Sequence, residues 1–197
     1  DVYKRQGLHF GFYETPQRLR LKAKALGLDL ETLEERGALH IMWQPTTEGL
    51  LDGLGARVIN AVREKGIKRL HIDSLGGMAR VATGSARLIE FFSALMSQLR
   101  AMGVTVFATW EMRDLFAAEI NAPAPELSSI VDNLVLMRFV EKDAELKRLL
   151  SILKMRDSRY DPSLLEVVIS DHGIELSKAF RHAAGALSGN AVPAQDA

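Results

Sequence analysis

The sequence predicts an α/β fold, in which βα units build a mostly parallel sheet that antiparallel strands extend at the C-terminal end. Three observations carry this. Short apolar or β-branched runs at Leu8–Tyr13, Leu39–Gln44, Arg69–Ile72 and Thr105–Trp110 alternate with helical stretches. From Ser85 onward, Leu88, Phe91, Phe92, Leu95, Met96, Leu99 and Met102 recur at helical spacing. From Asn133 onward the pattern is strands alone.

Each element has its own warrant. The Leu8–Tyr13 strand is followed by Glu14, then by Thr15 as an N-cap and Pro16 at the first helical position. That helix should run to Leu26 and stop at Gly27. Asp29 caps a short second helix that ends before Gly37, and Pro45 closes the Leu39–Gln44 strand. Thr46 or Thr47 should open a helix reaching about Lys65, weakened in its first half by Gly49, Gly53 and Gly55. The buried run ending at Asp73 passes into a Ser74–Leu75–Gly76–Gly77 turn. Ser85 opens the clearest helix, and Gly103 ends it. Asn133–Val140, Glu145–Met155 and Leu164–Ser170 read as antiparallel hairpins, with Asp171–His172–Gly173 as a turn. The tail from Ala183, rich in Ala, Gly, Ser and Pro, reads as disordered.

Composition narrows the function classes. A chain of 197 residues with 47% hydrophobic and 25% charged content suits one domain with a sizeable core. Lys+Arg of 25 against Asp+Glu of 25 gives no net charge, so no global footprint for nucleic acid or an anionic membrane. The absence of cysteine excludes disulfides and thiolate chemistry and fits a cytoplasmic location. No apolar run is long enough to span a bilayer, and the start is no signal peptide. Residues 1–6, Asp-Val-Tyr-Lys-Arg-Gln, look like the in-frame translation of a transposase adapter used in sequencing-library preparation. The reading frame is therefore expected to be cut just before Gly7, with residues 7–182 forming the domain.

Candidate chemistry gathers at strand ends. Asp73 closes a buried strand, where α/β sheets collect ligands and where an aspartate can hold the magnesium of a nucleotide. A turn-capping aspartate is the commoner occupant of such a place. Glu14 sits at the equivalent end of the first strand and could deprotonate an attacking water, or simply answer the dipole of the next helix. Thr109 and Glu111 close a third strand toward the same edge. In Leu150–Ser158 a strand-like run ends in Lys154–Met155–Arg156, two cations on one side of an extended backbone. An anion such as a phosphate chain would relieve that repulsion, and an edge strand guarded against aggregation is the ordinary alternative. The five histidines show no metal spacing, and a G-x-x-x-x-G-K-[ST] phosphate loop is missing.

Taken in order, a set of segments gives a resemblance. Phe12–Pro16, Leu26–Asp29, Ile72–Leu75, Asp132–Leu136, Arg138–Glu141, Leu153–Ser158 and Ile169–Ile174 are similar to the KaiC-like ATPases of the RecA superfamily, from about Gly7 to Phe180. The resemblance implies a RecA-like three-layer core that assembles into a ring, usually a hexamer, with ATP and Mg²⁺ at subunit interfaces. One subunit would supply the P-loop, the Walker-B aspartate (here Asp73) and the acidic Glu14. Its neighbour would supply Lys154 and Arg156, with Arg148, Met155, Ser158, Tyr160 and Asp171 along the same nucleotide edge. An arginine acting in trans contributes on the order of 10³–10⁵ in phosphoryl-transfer rate. The implied output is conformational signalling or regulation of a protein partner. Two departures matter: the P-loop would lie one βα unit before Leu8, and clock-type members carry two adjacent glutamates where this chain has Tyr13–Glu14. Ser128 and Ser129 align with an autophosphorylated pair but serve equally as a helix cap. Rival readings are a recombinase-like ring binding single-stranded DNA, which the neutral charge disfavours, and an oligomeric scaffold that does not hydrolyse.

Overall fold

The computed structural model of the chain describes residues 6–46, 50–81, 85–111, 127–142, 144–170, 173–177, 183–184 and 192–193. The chain forms two compact units, Asp1–Glu111 and Met112–Ala197.

In the first unit four strands, β1 (Gly7–Gly11), β2 (Leu39–Trp43), β3 (Arg69–Asp73) and β4 (Thr105–Ala108), make a parallel sheet in the order β2-β1-β3-β4. Helices α1 (Pro16–Ala25), α2 (Leu30–Glu35), α3 (Leu51–Lys65), α4 (Leu75–Ala79) and α5 (Ser85–Ala101) provide the crossovers. The α/β expectation thus holds, and the caps are the expected ones. The Thr15 hydroxyl accepts from the Arg18 amide, Pro16 opens α1, and the Asp29 carboxylate accepts from the Thr32 amide. Phe10, Ile72, Val58, Phe92 and Leu99 are fully buried, so β1, β3, α3 and α5 share one core. Burying each such side chain contributes about 1.5–3 kcal/mol.

On the other face of the sheet His9, His71 and Phe107 stand in register across β1, β3 and β4. They floor an apolar groove of 570 Å³ flanked by Leu19 and Ala23 of α1 and by Leu26 just after it. The Nδ1 atoms of His9 and His71 lie 2.9 Å apart in a hydrogen bond, so one ring must donate. The buried His71 Nε2 has no hydrogen-bond partner among the described residues.

The second unit holds α6 (Leu127–Ile130) and an antiparallel sheet of β5 (Asn133–Lys142), β6 (Glu145–Met155), β7 (Leu165–Ser170) and β8 (Gly173–Ser177), in that order. Two residue pairs, β9 (Ala183–Ala184) and β10 (Val192–Pro193), bond to each other within the segment expected to be without structure.

Three details differ from expectation. Among the described residues the antiparallel strands hydrogen-bond only with one another and make a sheet of their own. Helix α3 begins at Leu51 with no side-chain cap, not at Thr46 or Thr47, and Thr47 lies outside the described residues. The Ser74–Gly77 segment, read as a turn, opens helix α4. Gly77 is why this can pack: a Cβ there would lie 2.4 Å from Cγ of the buried Phe12 ring. Next to β1, the Gln6 carbonyl accepts from the amides of Lys68 and Arg69. Among the described residues no helix is long and apolar enough to cross a membrane.

Candidate functional site

Because β1, β3 and β4 are adjacent and parallel, their carboxyl ends share one edge of the first unit's sheet. Backbone bonds lace that edge together. The Phe12 amide donates to the Asp73 carbonyl at 3.0 Å, and the Leu75 amide donates to the Thr109 carbonyl at 2.9 Å. The Thr109 hydroxyl donates to the Asp73 carboxylate at 2.9 Å. The Asp73–Ser74 peptide is cis, and the Ser74 hydroxyl beside it is buried without a hydrogen-bond partner among the described residues. A carboxylate fixed by a hydroxyl, next to a second hydroxyl with unused hydrogen-bonding capacity, suits a hydrated Mg²⁺. That ion takes one or two carboxylates and fills its remaining positions with water and phosphate oxygens. Among the described residues no cluster of three or more His, Asp or Glu could hold a metal by protein ligands alone.

Glu14 stands at the end of β1 but is engaged. Lys22 Nζ donates to one of its oxygens at 2.7 Å, and Arg18 Nε lies 3.5 Å from the other. The hydrogen bond from the Lys22 ammonium, helped by the charges of Lys22 and Arg18, holds the Glu14 carboxyl below its ordinary value. A more acidic carboxylate is a weaker base. Tyr13, next to it, lies under the guanidinium of Arg80, 5.7 Å from the ring centroid. Sequence reading missed Arg80, and no pattern in the chain pointed to it. Glu111 is exposed beyond the end of β4.

In the second unit the Lys–x–Arg pair converges on one short segment. Lys154 Nζ donates to the Val131 carbonyl at 2.8 Å. Arg156 Nη1 donates to Asp132 Oδ1 at 3.0 Å, and the Arg156 amide donates to the Asp132 carbonyl, also at 3.0 Å. Just before Lys154 the β5–β6 register is interrupted. Leu134 pairs with Lys154 but Val135 pairs with Ile152, so Leu153 is an extra residue in a β-bulge. The bulge puts Lys154 on the opposite face from Ile152, and Arg156 already lies past the strand end.

The other expected binding residues spread out. Met155 pairs with Asn133 at the end of β6, while Ser158 and Tyr160 are exposed beyond it. Arg148 is set apart, roughly 20 Å from Lys154 at the rise of a strand, with its guanidinium 5.2 Å from the Phe139 ring centroid. Asp171 lies outside the described residues.

Open α/β sheets collect ligands at this carboxyl edge, and nucleotide-binding cores of the P-loop class place a metal-holding aspartate there. Comparison with known proteins is more specific. The family model "ATPase: KaiC" matches residues 1–180, so the chain belongs to the KaiC ATPase family. It is 30% identical over 185 residues to the circadian clock oscillator protein KaiC of Thermosynechococcus vestitus, covering 93% of this chain and 35% of that protein. It is also 30% identical over 183 residues to the circadian clock protein KaiC3 of Synechocystis, covering 92% of this chain and 36% of the relative. The chain thus spans about a third of the length of these relatives.

Proposed function

We propose that this chain is the part of a KaiC-type ATPase domain that follows its P-loop, and that the intact protein binds Mg²⁺–ATP and hydrolyses it slowly at the subunit interfaces of a ring. The observation that carries the reading is the Asp73–Thr109 pair at the carboxyl edge of the sheet, in a chain of this family. Bound there, the metal would neutralise phosphate charge as phosphoryl transfer proceeds. Asp73 would hold it, and Thr109 would keep the Asp73 carboxylate oriented. Lys154 and Arg156 would meet the phosphates of the neighbouring subunit, and Glu14 would be the base. Its pairing with Lys22 and Arg18 supports slow turnover.

An upstream βα unit is supported by two features of the first unit. Strand β4 pairs only with β3 among the described residues, and Phe107 on it is 64% exposed. A preceding strand would pair that edge and its helix would cover the ring. We assign the output to conformational regulation of a protein partner, in line with the clock proteins it resembles.

Asp73→Asn in the full-length protein is expected to lower ATP turnover at least about 100-fold, as losses of electrostatic stabilisation do, and to abolish the dependence of nucleotide binding on Mg²⁺. Wild-type turnover in that variant would overturn the site. The engagement of Glu14 favours a second reading, a ring that binds ATP without hydrolysing it. Mg²⁺-dependent binding with no turnover in the wild-type protein would select it.

A further inference from the structure

We propose that Asp132 is a positioning residue for Arg156, aiming its guanidinium so that Lys154 and Arg156 are presented together to an anionic phosphate. The inference rests on the trans-acting reading of that pair and extends it to a residue that itself touches no phosphate.

The geometry is specific to one dipeptide. Asp132 holds Arg156 twice, by its carboxylate on the side chain and by its carbonyl on the backbone amide. Val131, the residue before, takes the Lys154 ammonium on its carbonyl. Both cations are thus referred to the same two residues just before β5, and both lie on the C-terminal side of the bulge at Leu153. Arg156 needs such a reference because it lies past the end of β6 and precedes Asp157, whose φ is +62°. A long side chain there would otherwise sample many rotamers. Guanidinium offers five N–H donors in a planar fork, and Asp132 occupies Nη1 alone. A carboxylate on one corner fixes the plane and leaves the remaining donors for a second anion, so the group is oriented before the phosphate arrives. The opposite role, a latch that keeps Arg156 from the phosphate, predicts the opposite sign of effect.

The test is steady-state turnover and affinity for a non-hydrolysable ATP analogue in the full-length protein, with Asp132→Ala, Asp132→Asn, Arg156→Ala and the Asp132→Ala/Arg156→Ala double variant. Asp132→Ala is expected to lower kcat about 10- to 100-fold, the scale of a misplaced catalytic group, with analogue Kd within about threefold of wild type. Asp132→Asn keeps an oxygen acceptor and should recover most of the rate. The double variant should be no slower than Arg156→Ala, and the nucleotide-free unfolding midpoints of the set should be non-additive. Wild-type kcat in Arg156→Ala overturns the trans reading itself. A slow Arg156→Ala beside a wild-type or faster Asp132→Ala overturns the positioning role alone, as does a rise in Kd that matches the fall in kcat. If Asp132→Ala does not assemble, Asp132→Glu and Asp132→Asn decide. Lengthening the carboxylate should misaim Arg156 and cut kcat about tenfold, and wild-type rates in both variants would overturn the proposal.

Discussion

A carboxylate at a strand end is chemically defined by its neighbours, and Glu14 illustrates this. Lys22 comes two helical turns into α1, and its ammonium reaches back to the same carboxylate that Arg18 approaches. Replacing Lys22 with Met should return the Glu14 carboxyl toward its ordinary 4.5. If Glu14 is the base, turnover should then rise about threefold and the acidic limb of the pH–rate profile should move to higher pH. An unmoved limb would remove Glu14 from the mechanism. The His9–His71 pair sets a second pH dependence. Burial lowers the pKa of both rings, His9 is lowered further by the charge of His71, and Asp73 opposes the shift in each. Folded values below the unfolded 6.5 mean that the unfolded chain binds more protons. The stability contribution is therefore complete above that pH and is lost as pH falls below it. Thermal unfolding midpoints should fall as pH is lowered from 6.5, and the His9→Phe/His71→Phe double variant should flatten most of that slope.

At the scale of elements, local chemistry and tertiary packing share the work unequally. Caps and stops were legible because they act over a few residues: Thr15 with Pro16, Asp29, and Gly27 in the left-handed conformation after α1. Helix α4 was not legible, since two adjacent glycines argue against a helix and only the Phe12 ring explains Gly77. Gly77→Ala should destabilise the protein by about 1–3 kcal/mol, as overpacking does. Phe12→Leu should recover part of the loss in the same denaturation experiment. The β6 bulge was equally hidden, because alternation presumes an unbroken register and the extra residue exists only relative to β5.

For the whole molecule, the proposed ring makes a prediction that no single subunit can satisfy. Asp73→Asn and Arg156→Ala subunits should each be nearly inactive alone. Mixed in equal amounts and allowed to exchange, they should regain about a quarter of wild-type turnover, because that fraction of head-to-tail interfaces pairs an intact Asp73 with an intact Arg156. No recovery in rings shown to contain both variants would place the two residues in the same subunit's chemistry or in none.

By itself the sequence determined the α/β class, the run of crossovers, the helix caps and the Asp73 strand end, because periodicity, capping and strand-end position are local properties of the chain. Its ordered motifs also carried the resemblance to KaiC-like ATPases. Tertiary structure alone decided that Thr109 orients Asp73, that Lys22 claims Glu14, and that residues 131 and 132 hold Lys154 and Arg156. Each of these is a contact between groups whose separation along the chain carries no periodic signal. Side-chain reach and strand register place them, and both exist only once the chain has folded.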